Sequence, residues 1–152
     1  MKYLLLLLTT SCATQALESR HKIAVIDTGV NDVVLHMKYM CKDGVKNFTQ
    51  YPNEDVNGHG SKIINIIGTR INSDKYCISS YKVFHDKDGG IDSTIKALQE
   101  VNKDETIKYV NISMNGDINS KEELAMIEKL TQKDIKFTIA AGNESKLIIK
   151  GN

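Results

Sequence analysis

The sequence predicts an α/β fold, three layers deep, with a mostly parallel sheet carrying helices on both faces. Short apolar runs suited to buried strands alternate with stretches whose apolar residues recur at helical spacing. Turn signals such as Asp43-Gly44, Pro52-Asn53 and Asp88-Gly89-Gly90 separate them. Three polar positions, Asp27, Ser113 and Asn143, fall just past the ends of strand-like runs. In open parallel sheets, ligands gather at that edge.

The first sixteen residues read as a secretion signal rather than as part of the fold. Lys2 precedes the leucine run Leu4–Leu8, and small residues follow to Ala16. The run is too short to span a bilayer. Two cleavage readings stay open. Thr14-Gln15-Ala16 suits ordinary signal peptidase and leaves a mature domain over 17–152. Alternatively, Leu8-Thr9-Thr10-Ser11-Cys12 is similar to a lipoprotein box, so that residues 1–11 leave and Cys12 is lipidated. Both readings place the protein outside the cytoplasm, periplasmic or extracellular. Membrane contact then comes only through a lipid at Cys12.

Lys22 to Ile26 is an apolar run ending in Asp27-Thr28-Gly29, which predicts a buried strand with Asp27 at its carboxyl end. Residues 41–57 are polar and predict loop. After Gly60, Ile63, Ile64, Ile66, Ile67 and Ile71 form one helical stripe, with His59 near the helix start. Tyr76 to Phe84 is the next strand. Asp92 or Ser93 is the expected cap of a helix whose apolar face is Ile95, Leu98 and Val101. Tyr109 to Ser113 is strand-like. Ser120-Lys121-Glu122-Glu123 is a capping box ahead of Leu124, Ile127 and Leu130. Ile135 to Ala141 is the last strand, closed by Gly142-Asn143.

The 152 residues suffice for one domain with a core. A net charge of +1 gives no electrostatic case for nucleic acid. Cys41 and Cys77 can pair in only one way, or remain as two half-buried thiols; their spacing suits no metal motif.

Asp27, His59 and Asn143 each stand beside glycine. Alone, each is ordinary: a strand-to-turn transition, a His-Gly pair, a common turn. Together they supply what acyl transfer requires. An imidazole can act as base near neutral pH when a carboxylate orients its other nitrogen. A side-chain amide can donate to a developing oxyanion.

At these residues the chain resembles the subtilisin-like serine peptidases (subtilases). Ile23-Ala-Val-Ile-Asp-Thr-Gly-Val30 is similar to the family's aspartate motif, and Gly58-His-Gly-Ser61 to its histidine motif. Asn111-Ile-Ser-Met-Asn-Gly116 resembles the strand that pairs with substrate backbone. Thr138-Ile-Ala-Ala-Gly-Asn-Glu144 resembles the segment bearing the oxyanion asparagine. The resemblance spans about residues 22–145. It implies a subtilisin-like fold, a polypeptide substrate, and an Asp/His/Ser mechanism. Asp27 and His59 would be the triad's acid and base, and Asn143 the oxyanion donor. Ser113, Met114 and Asn115 would form the substrate strand, with Ala140, Ala141 and Gly142 as one wall of the specificity pocket. Asn115 stands where the family usually has Gly. Calcium is a frequent family ligand, but Asp86-Lys87-Asp88 reads as a solvated turn and no site is identified.

The family's Gly-Thr-Ser-Met-Ala motif, which carries the nucleophile, has no counterpart here, nor does the long folding propeptide. The expectation is a C-terminally incomplete domain, inactive alone. Ser61, Ser79, Ser80 and Ser93 do not replace that serine. His21, His36 and His85 lack companion motifs and read as solvent-facing.

Two other readings stay open. A secreted or lipid-anchored pseudopeptidase would bind extended peptides along 113–116 by strand addition. An aspartic peptidase would use Asp27, because Val25 to Leu35 is similar to a retropepsin active-site segment and Asn65-Ile-Ile-Gly68 to that family's later helix motif. That reading requires an almost all-β chain.

Overall fold

The computed structural model describes residues 20–86, 88–113 and 120–140, with Asp88 and Gly89 described by backbone alone. Among the described residues, seven strands and four helices follow in the order β1 (His21–Asp27), α1 (Asp32–Leu35), β2 (Met40–Asn47), α2 (His59–Gly68), β3 (Tyr76–Lys82), β4 (Phe84–His85), β5 (Asp88–Gly89), α3 (Ile91–Val101), β6 (Ile107–Ile112), α4 (Lys121–Gln132) and β7 (Lys136–Ile139). Five strands make one sheet in the order β2-β3-β1-β6-β7, and every pair in it is parallel. β4 and β5 form a separate antiparallel pair.

β1 lies at the centre, which explains its uninterrupted apolar run. A strand flanked on both edges and covered on both faces buries every side chain. Its alternate residues divide the core. Ile23 and Val25 pack with Ile64 of α2 and Ile78 of β3. Ala24 and Ile26 face the opposite layer, with Leu98 and Val101 of α3 and Leu130 of α4. Helices therefore cover both faces, as the alternation of elements predicts. The parallel, helix-covered sheet also removes the all-β premise on which the aspartic peptidase reading of Asp27 depends.

The register aligns the carboxyl ends of four strands. Asp27 sits opposite Lys82, Ile26 opposite Ile112, and Ile112 opposite Ile139. The residues after β1, β3, β6 and β7 thus emerge along one edge of the sheet.

Three local expectations are corrected. The segment 41–57 is not all loop, since its first part is edge strand β2, whose register shifts between Met40 and Val45. The Asp43-Gly44 turn signal falls in that irregular stretch. Helix α3 starts at Ile91 with Gly90 as its cap, while the Ser93 hydroxyl instead donates to the Phe48 carbonyl at 3.1 Å. In α4, Ser120 does cap the helix by accepting from the Glu123 N–H. Its inward face, however, is Glu123, Met126, Ile127 and Leu130, and Leu124 is exposed. Burial raises the Glu123 carboxyl above its usual range.

Cys41 and Cys77 are joined, with Cα atoms 5.0 Å apart. They bridge neighbouring strands β2 and β3 and are buried rather than half-buried. Among the described residues, no helix is long and apolar enough to cross a membrane. The signal segment and Cys12 lie outside the described residues.

Candidate active site

The last residue of β1 meets the first residue of α2. Asp27 is 1% exposed and His59 Nδ1 lies 2.8 Å from its Oδ1 and 3.0 Å from its Oδ2. The Thr28 N–H donates to the same Oδ1 at 2.7 Å. Burial drives the Asp27 carboxyl above its ordinary range, while the bonds from His59 and Thr28 pull it back only in part. An ionised carboxylate only accepts, so the Nδ1 that faces it carries a proton, and in the neutral ring Nε2 then keeps its lone pair. The His59 side chain is 45% exposed against 1% for Asp27. A buried acid therefore orients a half-exposed base.

Backbone geometry permits this contact. Gly29, just past Asp27, has φ +112°, a left-handed conformation that suits glycine. A Cβ on Gly60 would stand 2.4 Å from the Gly29 carbonyl oxygen, so the helix start can touch the strand end only with glycine there.

A second carboxylate, which sequence reasoning missed, lies behind the pair. Asp55 is 6% exposed and accepts four hydrogen bonds. Thr28 Oγ1 and the Gly58 N–H donate to its Oδ1, each at 2.8 Å. The Ser61 N–H and hydroxyl donate to Oδ2, at 2.8 and 2.5 Å. Burial opposes charge on Asp55, but these donors outweigh it and hold the carboxyl below its usual range. Thr28 Oγ1 in turn accepts from the Gly60 N–H at 2.9 Å, and Ser61 Oγ from the Asn31 N–H at 2.9 Å. The first N–H groups of α2 are thus satisfied from two separate loops, because the cap residue Gly58 has no side chain. Asp55 stands three residues before the cap position Gly58, outside the usual capping signature, so its role shows only in the folded chain.

Lys82 was also missed. It is 1% exposed, and its Nζ donates to the Glu54 carbonyl at 2.5 Å and lies 3.4 Å from His85 Nδ1. Burial lowers its pKa. His85 is consequently not solvent-facing; it is half-buried and stacked on Tyr51 with ring centroids 4.2 Å apart. His21 and His36 are exposed as expected.

The remaining expected site residues divide. Ser113 follows β6 and its hydroxyl accepts from Asn111 Nδ2 at 2.7 Å. Ala140 follows β7 and its N–H donates to the Ile112 carbonyl. Both stand on the edge that carries Asp27. Met114, Asn115, Ala141, Gly142 and Asn143 lie outside the described residues. Ser61 is committed to Asp55, as its place in the helix suggested, and Ser79 and Ser80 are buried in β3. Among the described residues, the ring hydrogen bonds of His59 go to Asp27 alone. Among the described residues, no group of three or more His, Cys, Asp or Glu residues comes together to hold a metal.

A carboxylate–imidazole pair at the carboxyl edge of a helix-covered parallel sheet defines an α/β scaffold equipped for proton transfer. The chain belongs to the subtilase family (peptidase S8), whose model matches residues 18–152. Among solved structures it is similar to the epidermin leader peptide processing serine protease of Staphylococcus aureus. That match has 20% identity and a TM-score of 0.56, over 83% of this chain and 38% of that one. At such identity the likeness establishes the fold. A lanthipeptide protease matches at 24% identity and a TM-score of 0.45, over 74% of this chain and 34% of that one. The chain thus spans little more than a third of the length of either. No curated protein matches it significantly.

Proposed function

We propose that this chain forms the aspartate–histidine half of a serine endopeptidase centre acting on polypeptides. The observation that carries the reading is the bond from His59 Nδ1 to the buried Asp27 carboxylate, on a subtilase fold. In this reading His59 Nε2 takes the proton from a serine hydroxyl as that oxygen attacks the scissile carbonyl. The proton then passes to the leaving amine. Asp27 holds the imidazole in the required tautomer and stabilises the imidazolium. Asn143 donates to the oxyanion, a contact whose loss typically costs about 10²–10³ in rate. Ser113, Met114 and Asn115 pair with the substrate backbone, and Ala140, Ala141 and Gly142 line one side of the pocket.

None of the chain's serines stands in a Gly-Thr-Ser-Met-Ala setting. The nucleophile in this reading lies outside these 152 residues, and the 152-residue chain alone is hydrolytically silent. A fluorophosphonate probe, which reacts with activated serines, tests this. The expected result is no labelling of the isolated chain. Labelling at any of its serines would overturn the assignment of a missing nucleophile.

The same proposal includes export, with a signal over residues 1–16 or a lipidated Cys12. The Cys41–Cys77 bridge supports it, since disulfides persist in oxidising compartments.

A further inference from the structure

We infer that Asp55 is a positioning residue for the Asp27–His59 pair, holding the imidazole in its Nδ1–H tautomer without touching it. The inference rests on the proposed role of that pair. Its basis is where the four donors come from. Thr28 follows Asp27 at the end of β1, while Gly58 and Ser61 flank His59 at the start of α2. One carboxylate thereby joins the two backbone segments that carry the pair. Such constellations must hold their geometry to about 0.5 Å to be productive.

Hydrogen-bond direction makes the role specific to a carboxylate. Its two oxygens offer about four acceptor positions, and four donors occupy them. The Thr28 hydroxyl spends its proton on Asp55 and so can accept from the Gly60 N–H. The Ser61 hydroxyl does the same and accepts from the Asn31 N–H. An asparagine amide at position 55 would place its NH2 against either the Gly58 or the Ser61 N–H, whichever way it turned. A hydroxyl can rotate away from such a clash, but a backbone N–H cannot.

Lys82 completes the arrangement. Its Nζ holds the Glu54 carbonyl, the residue before Asp55, from the strand position opposite Asp27. The loop leading to His59 is therefore tied to the same sheet edge as the acid.

The test is imidazole NMR on the full chain labelled with ¹⁵N-histidine, with the His59 signals assigned by their loss in His59→Gln. The wild type is expected to show His59 mainly as the Nδ1–H tautomer, with a downfield proton. Asp55→Asn is expected to lower the ratio of Nδ1–H to Nε2–H forms about tenfold, equivalent to about 1.4 kcal/mol. A purely structural loss serves as control: Ile64→Val trims the buried core and should leave that ratio unchanged. A folded Asp55→Asn chain that keeps the wild-type ratio would overturn the inference. If Asp55→Asn does not fold, Ser61→Ala carries the test, since it keeps the Asp55 carboxylate and removes one of its four donors along with the acceptor of the Asn31 N–H. An unchanged ratio there overturns the inference equally. Asp27→Asn separates the two readings. If Asp27→Asn leaves the signal intact, the proposed pair itself fails. If only the Asp55 and Ser61 variants leave it intact, the positioning role fails alone.

Discussion

Breaking the Cys41–Cys77 bridge is expected to cost global stability while sparing the site. The cysteines are 36 residues apart in sequence, and closing a loop of that length in the unfolded chain is worth about 4 kcal/mol by the chain-entropy relation. A domain of this size shifts in midpoint by about 3–5 °C per kcal/mol, so a loss of about 12–20 °C is expected. The bond sits five residues up β3 from Lys82, roughly 16 Å from the carboxyl edge at strand spacing. The pairing of Asn47 with Lys82 at that edge is held by the sheet, not by sulfur. Both sulfurs are buried, so the comparison is best made with the Cys41→Ala/Cys77→Ala variant as well as with reductant. Thermal unfolding followed by circular dichroism gives the midpoint, and the His59 imidazole signal below the transition reports the site. A variant that melts within a few degrees of wild type would refute the loop-entropy reasoning. A variant that stays folded but loses the His59 signal would refute the claim that the site is insulated from the bridge.

Gly60→Ala places a methyl 2.4 Å from the Gly29 carbonyl, which must force α2 away from β1. A cost of about 1–3 kcal/mol in urea unfolding is expected, with loss of the His59 Nδ1–H signal. The two buried aspartates should leave opposite marks on the pH dependence of stability. The Asp27 carboxyl is raised by burial, so its contribution is full below the unfolded value near 3.8 and is lost as pH rises through the folded value. Wild type should therefore lose stability relative to Asp27→Asn as the pH rises above 4. The Asp55 carboxyl is lowered, so its contribution is present above the unfolded value and disappears as pH falls through the folded one. Asp55→Asn should lose least, relative to wild type, in the most acidic buffers. Thermal melts from pH 4 to pH 7 check the sign for Asp27, and melts carried below the unfolded value near 3.8 check it for Asp55.

Central elements were legible in the sequence because burial on both faces leaves a continuous apolar run. Ile23 to Ile26 could be little else, and the stripe through Ile64 had one helical phase, although Ile66, expected within it, lies off that face and is exposed. Edge strand β2 was hidden, since its Cys-Lys-Asp-Gly stretch alternates only in part and carries a turn signal that the structure uses as a register shift. The phase of α4 was misjudged because Glu123 looks like a solvent-side capping residue, yet it is buried while Leu124 is exposed. Asp27 and His59 were legible as residue types beside glycine. Asp55, Thr28 and Ser61 were not, because their significance lies in donors that converge from two separate stretches of chain. Lys82 was misleading in another way. A lysine at a strand end ordinarily reaches water, whereas here its ammonium is held by a loop carbonyl.

The placement of the pair divides into two physical tasks. The sheet register brings the Asp27 end of β1 to the correct edge, a consequence of core packing that many sequences could satisfy. Orientation of the His59 ring is separate, because His59 sits at a helix start preceded by a residue with no capping side chain. Fixing a backbone residue costs roughly 1–2 kcal/mol in entropy. The loop from Phe48 to Gly58 can therefore hold one conformation only through specific ties. Two of these ties differ in kind. Lys82 grips a backbone carbonyl, so the side chain at position 54 does not matter to that contact. Asp55 uses its own carboxylate, and only a side chain with acceptors on both oxygens can take all four donors. Sequence constraint in this loop should therefore concentrate at position 55, although neither it nor its donors supply the group that takes the proton.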